Sequence, residues 1–244
     1  MWNVDELKLY RGDDYILSNG MHIKSPTLGE ICEFGEDKYL TTVSVFTATT
    51  IDRCAQLDDV GIDYTQISDF EMFCLFAKML EPESTKIFFC DIDFSKFVLT
   101  VKNGKNILIN KNGVIFDEDD YKRTSDYIRK MNGISPPKYV RAANEFAKKQ
   151  LIIDARNDAE YQKKLQAYKG KQSMYQPYVS ALVNHPYFKY NWNTVWDMKV
   201  YAFFDSLKRI SIIENANRLY TGMYSGCIEY KKVKNDLDWL KPIT

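Results

Sequence analysis

The chain predicts an α+β fold, predominantly α-helical with small antiparallel β-hairpins or a meander. Two observations carry that class. Short apolar runs broken by Ser18-Asn19-Gly20, Asn103-Gly104 and Asn112-Gly113 read as hairpins, because Asn and Gly reach the left-handed backbone that tight turns require. Longer stretches repeat apolar residues at helical spacing behind recognisable N-caps, above all "SDFEMFCLFAKML". With 244 residues, 45% of them hydrophobic and 14% aromatic, the chain can bury one large core or two modest ones.

Taken in order, Leu7 to Tyr10, Tyr15 to Leu17 and Met21 to Lys24 alternate between turn residues and predict a hairpin or meander. Ser25 is expected to cap a helix with Pro26 at its first position, and Gly35 to separate that helix from the next. Ser68 and Glu71 have the spacing of a capping box, followed by Phe70, Phe73, Cys74, Ala77 and Leu80 on one buried face. Two further strands flank Asn103-Gly104, and Asn112-Gly113 offers a third. Asp117 to Asp120 then place negative charge at the start of a helix, where it complements the backbone dipole.

Residues 138–169 predict one long charged helix with Val140, Ala143, Phe146, Ala147 and Gln150 on its first face, too polar in the middle to be buried all round. "KGKQS" breaks it, and "MYQPYVSALVNHPYFKYNW" supplies aromatics to anchor a second helical unit, with His185 at a turn. A last long helix is expected from near Asn193, its face formed by Trp196, Val200, Phe203, Leu207 and Ile210, with Gly222 or Gly226 as its left-handed cap. Trp239 is expected to be a docking anchor or to sit in a short terminal helix.

Residues 1–100 hold 18 Asp/Glu against 8 Lys/Arg and residues 101–244 hold 15 against 25, so nets of −10 and +10 cancel. Two parts are expected, an acidic mixed one over 1–135 and a basic helical one over 136–244, or one continuous domain. The opposed charges are either ordinary solvated surfaces or an attraction, within the chain or between copies. The five cysteines lack metal-ligand spacing and are expected to be buried hydrophobes in a reducing compartment. No apolar run approaches the 18 or so residues of a membrane span and no basic-then-apolar leader opens the chain, which predicts a soluble protein.

One segment suggests catalysis. "IFFCDIDFSKFVL" runs from apolar residues into Asp91-x-Asp93, as in haloacid-dehalogenase phosphatases. That chemistry needs the aspartates at the end of a parallel strand, in a chain that alternates strands and helices. Here helices precede the segment and hairpins follow it, and Ser95-Lys96 departs from the family motif. Phe94 and Phe97 are therefore expected in the core, and Asp91 and Asp93 exposed or capping. Phosphate loops, Gly-x-Ser-x-Gly, His-Glu-x-x-His and EF-hand patterns are absent, so no catalytic, cofactor-binding or metal-ligating residue is assigned and no cofactor is expected. Lys148, Lys149, Lys163, Lys164, Lys169 and Lys171 near Tyr161 and Tyr168 form a basic patch, but Asp154, Asp158 and Glu160 interrupt it, which disfavours nucleic acid as a partner.

"MHIKSPTLGEICEFGEDKYLTTVSVFTATTIDRCAQLDDVGIDYTQISDFEMF", "DIDFSKF", "PYVSALVNHPYFKYNWNTVWDMKVYAFFDSLKRI" and "GMYSGCIEYKK" together resemble a family of uncharacterised proteins encoded in phages and prophages of Gram-positive bacteria. The Pro-Thr-x-x-Glu-Ile element is similar to that of tail assembly chaperones. The resemblance implies a non-enzymatic morphogenesis factor in the cytoplasm of the infected host, with phage tail or other virion proteins as its expected partners and self-association as a further expectation. The alternative is a structural component of the virion, in the tail, neck or baseplate.

Overall fold

The computed structural model describes residues 4–90, 92–137, 139, 142–170 and 172–242. Asp5 accepts from the Leu7 and Lys8 amides at 3.2 Å and opens helix α1 (Glu6–Arg11), which Gly12 closes in the left-handed region at φ 85°. The expected strand at Leu7–Tyr10 is thus a helix. Four alternating residues do not distinguish the two periods, and the caps on either side decide it. Beyond it the expected hairpin forms: β1 (Tyr15–Ile16) pairs antiparallel with β2 (His22–Ile23), in the register Tyr15↔Ile23.

Helix α2 (Leu28–Phe34) begins later than Ser25 and Pro26 suggest. Thr27 is its cap, accepting from the Glu30 amide at 3.1 Å while the Glu30 carboxylate accepts from the Thr27 amide at 2.8 Å. The backbone through Pro26 to Leu28 is held extended by the later chain: Val200 donates to the Pro26 carbonyl and Leu28 to that of Met198, both at 3.0 Å. Gly35, at φ 98°, divides α2 from α3 (Glu36–Thr47) as expected. Then come α4 (Cys54–Asp59), α5 (Asp69–Ala77) and α6 (Pro82–Phe89). The Ser68–Glu71 capping box is formed, at 3.1 and 2.8 Å, and the whole predicted face from Phe70 to Leu80 is buried.

The predicted meander follows. Strands β3 (Val98–Lys102), β4 (Lys105–Ile109) and β5 (Ile115–Phe116) pair antiparallel in that order, and Asn103 and Gly104 both have positive φ at the first turn. Asp117 caps α7 (Glu118–Met131), which packs on α3 and closes the core. There Phe46, Phe73, Phe89, Phe94 and Phe116 meet with ring centroids as close as 5.0 to 5.2 Å. The Tyr39 hydroxyl donates to Asn132 Oδ1 at 2.7 Å beside them, so α3 and the end of α7 share a satisfied buried polar pair.

The long helix α8 (Glu145–Lys169) starts at the Asn144 cap, seven residues later than expected; Val140 and Lys171 lie outside the described residues. Its predicted apolar face is corrected as well. Phe146 is 78% exposed, and the buried contact is Ile152, packed with Cys54, Leu57, Tyr64 and Met72. Helices α9 (Gln176–Val183), α10 (Val200–Tyr224) and α11 (Tyr230–Val233) complete the chain. The last long helix begins at Val200 and not near Asn193, because Asn191 and Thr194 bond each other in a turn and Val195–Asp197 is a single 3₁₀ turn. Gly226 lies just past its end at φ 77°, as predicted, whereas Gly222 is inside it against Ile228. One continuous core joins Ile23, Leu28 and Phe88 to Val179, Leu182, Val195 and Phe203. Of the cysteines only Cys54 and Cys74 are buried; Cys32, Cys90 and Cys227 are exposed, Cys90 just past the end of α6 and Cys227 in the turn between α10 and α11.

Candidate functional site

The Asp-x-Asp segment builds a turn. Its apolar approach, Ile87 to Phe89, is the last turn of α6, and Cys90 follows at φ 53°. Asp93 caps the 3₁₀ turn Phe94–Lys96, accepting from the Ser95 amide at 3.0 Å and the Ser95 hydroxyl at 2.6 Å, with Lys96 Nζ at 3.0 Å. These bonds hold its carboxyl below the usual range against the opposing pull of burial. Phe94 and Phe97 are buried as expected, while Asp91 lies outside the described residues. A nucleophilic aspartate at the tip of a parallel strand is not what this segment makes, since all named strands pair antiparallel.

Nor is the basic patch a continuous free surface. Lys148 pairs with Asp63 and Glu145, and Lys164 pairs with Glu160 at 2.7 Å. Lys149 and Lys163 stand fourteen positions apart on α8, about 21 Å at a helical rise of 1.5 Å per residue. The side chain of Lys169 is outside the description, as is Lys171. His22 is an exposed residue of β2, and His185 sits in a bend, its Nδ1 accepting from the Tyr187 amide at 3.2 Å and its Nε2 3.5 Å from Glu214.

What the tertiary structure brings together is a groove of about 510 Å³ between α1, α10 and the loop 185–198. Tyr10 comes from α1, Tyr187, Phe188 and Tyr190 from the loop, and Asp205 and Arg209 from successive turns of α10. Tyr10 stands edge-on to Tyr201 at 6.3 Å, Phe188 lies 5.7 Å from Tyr190, and Trp192 meets Trp196 edge-on at 5.7 Å beyond the rim. Burial raises the Asp205 carboxyl above its ordinary range, with Arg209 and Lys208 pulling the other way. Burial likewise raises the Tyr10 phenol, and the nearby Asp205 charge adds to it. Arg209 also donates to the carbonyls of Trp239 and Lys241, the latter at 3.0 Å, and so ties the tail to α10. This corrects the role expected of Trp239: its ring is half exposed, and the tail is anchored by its backbone and by buried Leu237.

Tyr10, Tyr187, Tyr190 and Trp192 are each between 42% and 62% exposed, a concentration of half-wet aromatic rings around an arginine and a carboxylate. That composition is typical of protein-binding surfaces, where Tyr, Trp and Arg carry much of the affinity. The sequence reading takes Tyr187, Tyr190 and Trp192 as anchors of a helical unit and Tyr10 as part of a strand. The signal against that was "HPYFKYNWN": aromatics at 187, 188, 190 and 192 fit no helical face, and Pro186 and Asn191 mark a loop.

Most of this groove belongs to the part of the chain that a comparison recognises. Residues 171–244 match a family model described as YomV second domain. That part of the chain is similar to a phage-associated family, in keeping with the resemblance drawn from the sequence. No curated protein and no solved structure matches the chain.

Proposed function

We propose that this is a phage-associated morphogenesis protein that acts by binding other proteins and not by catalysis, in the manner of a tail assembly chaperone within the infected cell. The carrying observation is the groove of Tyr10, Tyr187, Tyr190, Asp205 and Arg209, an aromatic and charged surface built mainly by the segment similar to the YomV second domain. Among the described residues no helix is long and apolar enough to cross a membrane, and no cluster of His, Cys, Asp and Glu is arranged to hold a metal ion.

The test is quantitative mass spectrometry of purified particles beside the infected-cell lysate, with the chain crosslinked through the groove. An assembly factor is abundant in the lysate, absent from the particle and crosslinked to tail or other virion proteins. Stoichiometric copies in the particle would instead make it a structural component. Tyr187→Ala with Tyr190→Ala should abolish the crosslinks while leaving the circular dichroism spectrum unchanged.

A further inference from the structure

The three-stranded meander ends on an unprotected edge. Strand β3 has β4 on one side and no strand on the other, and all five of its residues are exposed, Val98, Leu99 and Val101 by 63%, 38% and 65%. Its pairing with β4 runs in continuous register from Val98↔Ile109 to Lys102↔Lys105, without a bulge. Soluble proteins blunt such edges with proline, bulges or charged side chains, and here only Lys102, at the turn, does so.

The turn fixes which backbone groups point outward. Asn103 and Gly104, at φ 53° and 75°, form a two-residue turn, so Lys102 and Lys105 bond across it and every second pair along the ladder does the same. Val98, Thr100 and Lys102 therefore bond to β4, and the amides and carbonyls of Leu99 and Val101 face away from it. Among the described residues no backbone group bonds to those four. Donors and acceptors alternating at strand spacing fit one kind of ligand, an extended backbone.

We propose that β3 pairs with β3 of a second copy of the chain, antiparallel about a two-fold axis at Thr100, joining the two meanders into one sheet. The strand is complementary to itself in that register. Leu99 of each copy lies opposite Val101 of the other and exchanges both bonds with it, so every outward group is used. The same pairing sets Leu99 beside Val101 twice on the face that carries Leu108 of the core, Thr100 beside Thr100 on the other face, and the aliphatic stem of Lys102 over Val98. A register about Leu99 would set Val101 against Phe97, whose ring is buried, and one about Val101 would set Leu99 against Asn103 in the left-handed turn. No acidic residue lies between Phe94 and Phe116, so backbone and apolar contacts carry the dimer against the charge of Lys102, Lys105 and Lys111. Five residues a side cover less than the roughly 1,200 Å² of stable complexes, which makes it a weak dimer. The edge shares no residue with the aromatic groove, and the pairing does not rest on the function proposed there.

Sedimentation of the full chain from about 10 µM to about 1 mM should show monomer passing to dimer, and sodium chloride up to roughly 0.5 M should tighten the association by screening the lysines. Val101→Lys, at an exposed position, should raise the dissociation constant at least about tenfold with an unchanged circular dichroism spectrum. Leu99→Pro removes an outward amide and no bond to β4, and should do the same. Mild oxidation reads the register. Thr100→Cys should link two copies through the introduced thiols, because residues facing each other in a non-hydrogen-bonded pair lie about 4.5 Å apart at Cα, within the span of a disulfide. Val98→Cys should not, since the two copies of that position stand four strand steps apart, about 14 Å. Peptide mass spectrometry separates this link from any through the exposed Cys32, Cys90 and Cys227. A chain that stays monomeric throughout the range would leave the edge to a strand of another protein and overturn the proposal. A dimer that salt dissociates, a dimer that Val101→Lys leaves intact, or equal linkage through Val98→Cys would overturn it as well.

Discussion

At the scale of the residue, the buried phenols dominate the response to pH. Tyr39, Tyr121, Tyr127 and Tyr175 all have pKa values raised above 10.0, burial being the first cause in each. Above pH 10 the unfolded chain releases these protons and the folded chain keeps them. The folded state then binds more protons, so stability falls as pH rises. Urea midpoints should hold from pH 8 to about 9 and then fall through pH 10 to about 11, and Tyr127→Phe should flatten the decline. Gly12 and Gly20 allow a second comparison, because φ is 85° and 84° but their surroundings differ. A methyl at Gly20 meets nothing within 4 Å, so Gly20→Ala carries backbone strain alone, about 1 kcal/mol. At Gly12 it would lie 2.4 Å from Lys199 Cγ, on a side chain whose amine is held by the Ser25 carbonyl at 2.7 Å. Gly12→Ala should cost about 2 to 4 kcal/mol, and Lys199→Ala should relieve the steric part.

At the scale of the element, the two capping boxes set where helices begin, and one of them also binds a sheet. Glu71 accepts from the Ser68 amide through one oxygen and from Asn106 Nδ2 in β4 through the other, at 2.8 Å each. Ser68→Ala removes only the cap on the Glu71 amide and should cost about 1 kcal/mol. Glu71→Ala removes the reciprocal bond and the link from α5 to the meander, and should cost more, about 2 kcal/mol. Denaturation midpoints at constant slope would measure both, and equal losses would show that the Asn106 bond contributes nothing. The Asn103-Gly104 turn and the Ser68 box were legible because each is a local device, complete within four residues. The start of α2 was not. Ser25-Pro26 is as good a local cap as Thr27, and the choice is made by a backbone pairing with Met198 and Val200, far along the chain.

At the scale of the whole molecule, part of the charge asymmetry is neutralised inside the chain. Lys148 on α8 meets Asp63, and Arg156 meets Asp58 and Asp59 at 2.7 and 2.6 Å, so acidic α4 and its following loop hold the first half of basic α8. These pairs are solvated, and salt and acid should loosen them. Lys148 and the Thr65 hydroxyl and amide bring Asp63 down to about 2 from its ordinary 3.8. A depressed carboxylate contributes stability above pH 3.8 that is lost as pH falls toward 2. Protection of the amides of residues 148–158, taken relative to their intrinsic exchange rates at each pH, should therefore fall at low pH and in roughly 0.5 M sodium chloride. Arg156→Ala should reproduce the salt effect at low ionic strength, with exchange in α7 unchanged. Exchange in α8 that ignores both salt and Arg156→Ala would mean that Ile152 and its apolar neighbours alone hold the helix.

The sequence by itself determined the helical α+β class, the hairpins, the capping box at Ser68, the core face of α5 and the burial of Phe94 and Phe97. All of these rest on side-chain period or on turn and cap chemistry acting over a few residues. Only the tertiary structure decided that Phe146 faces solvent and Ile152 the core, and which carboxylates and aromatics share a surface. The groove joins residue 10 to residues 187–209. Such encounters depend on how helices pack across long loops, and no local preference encodes which distant residue will stand opposite.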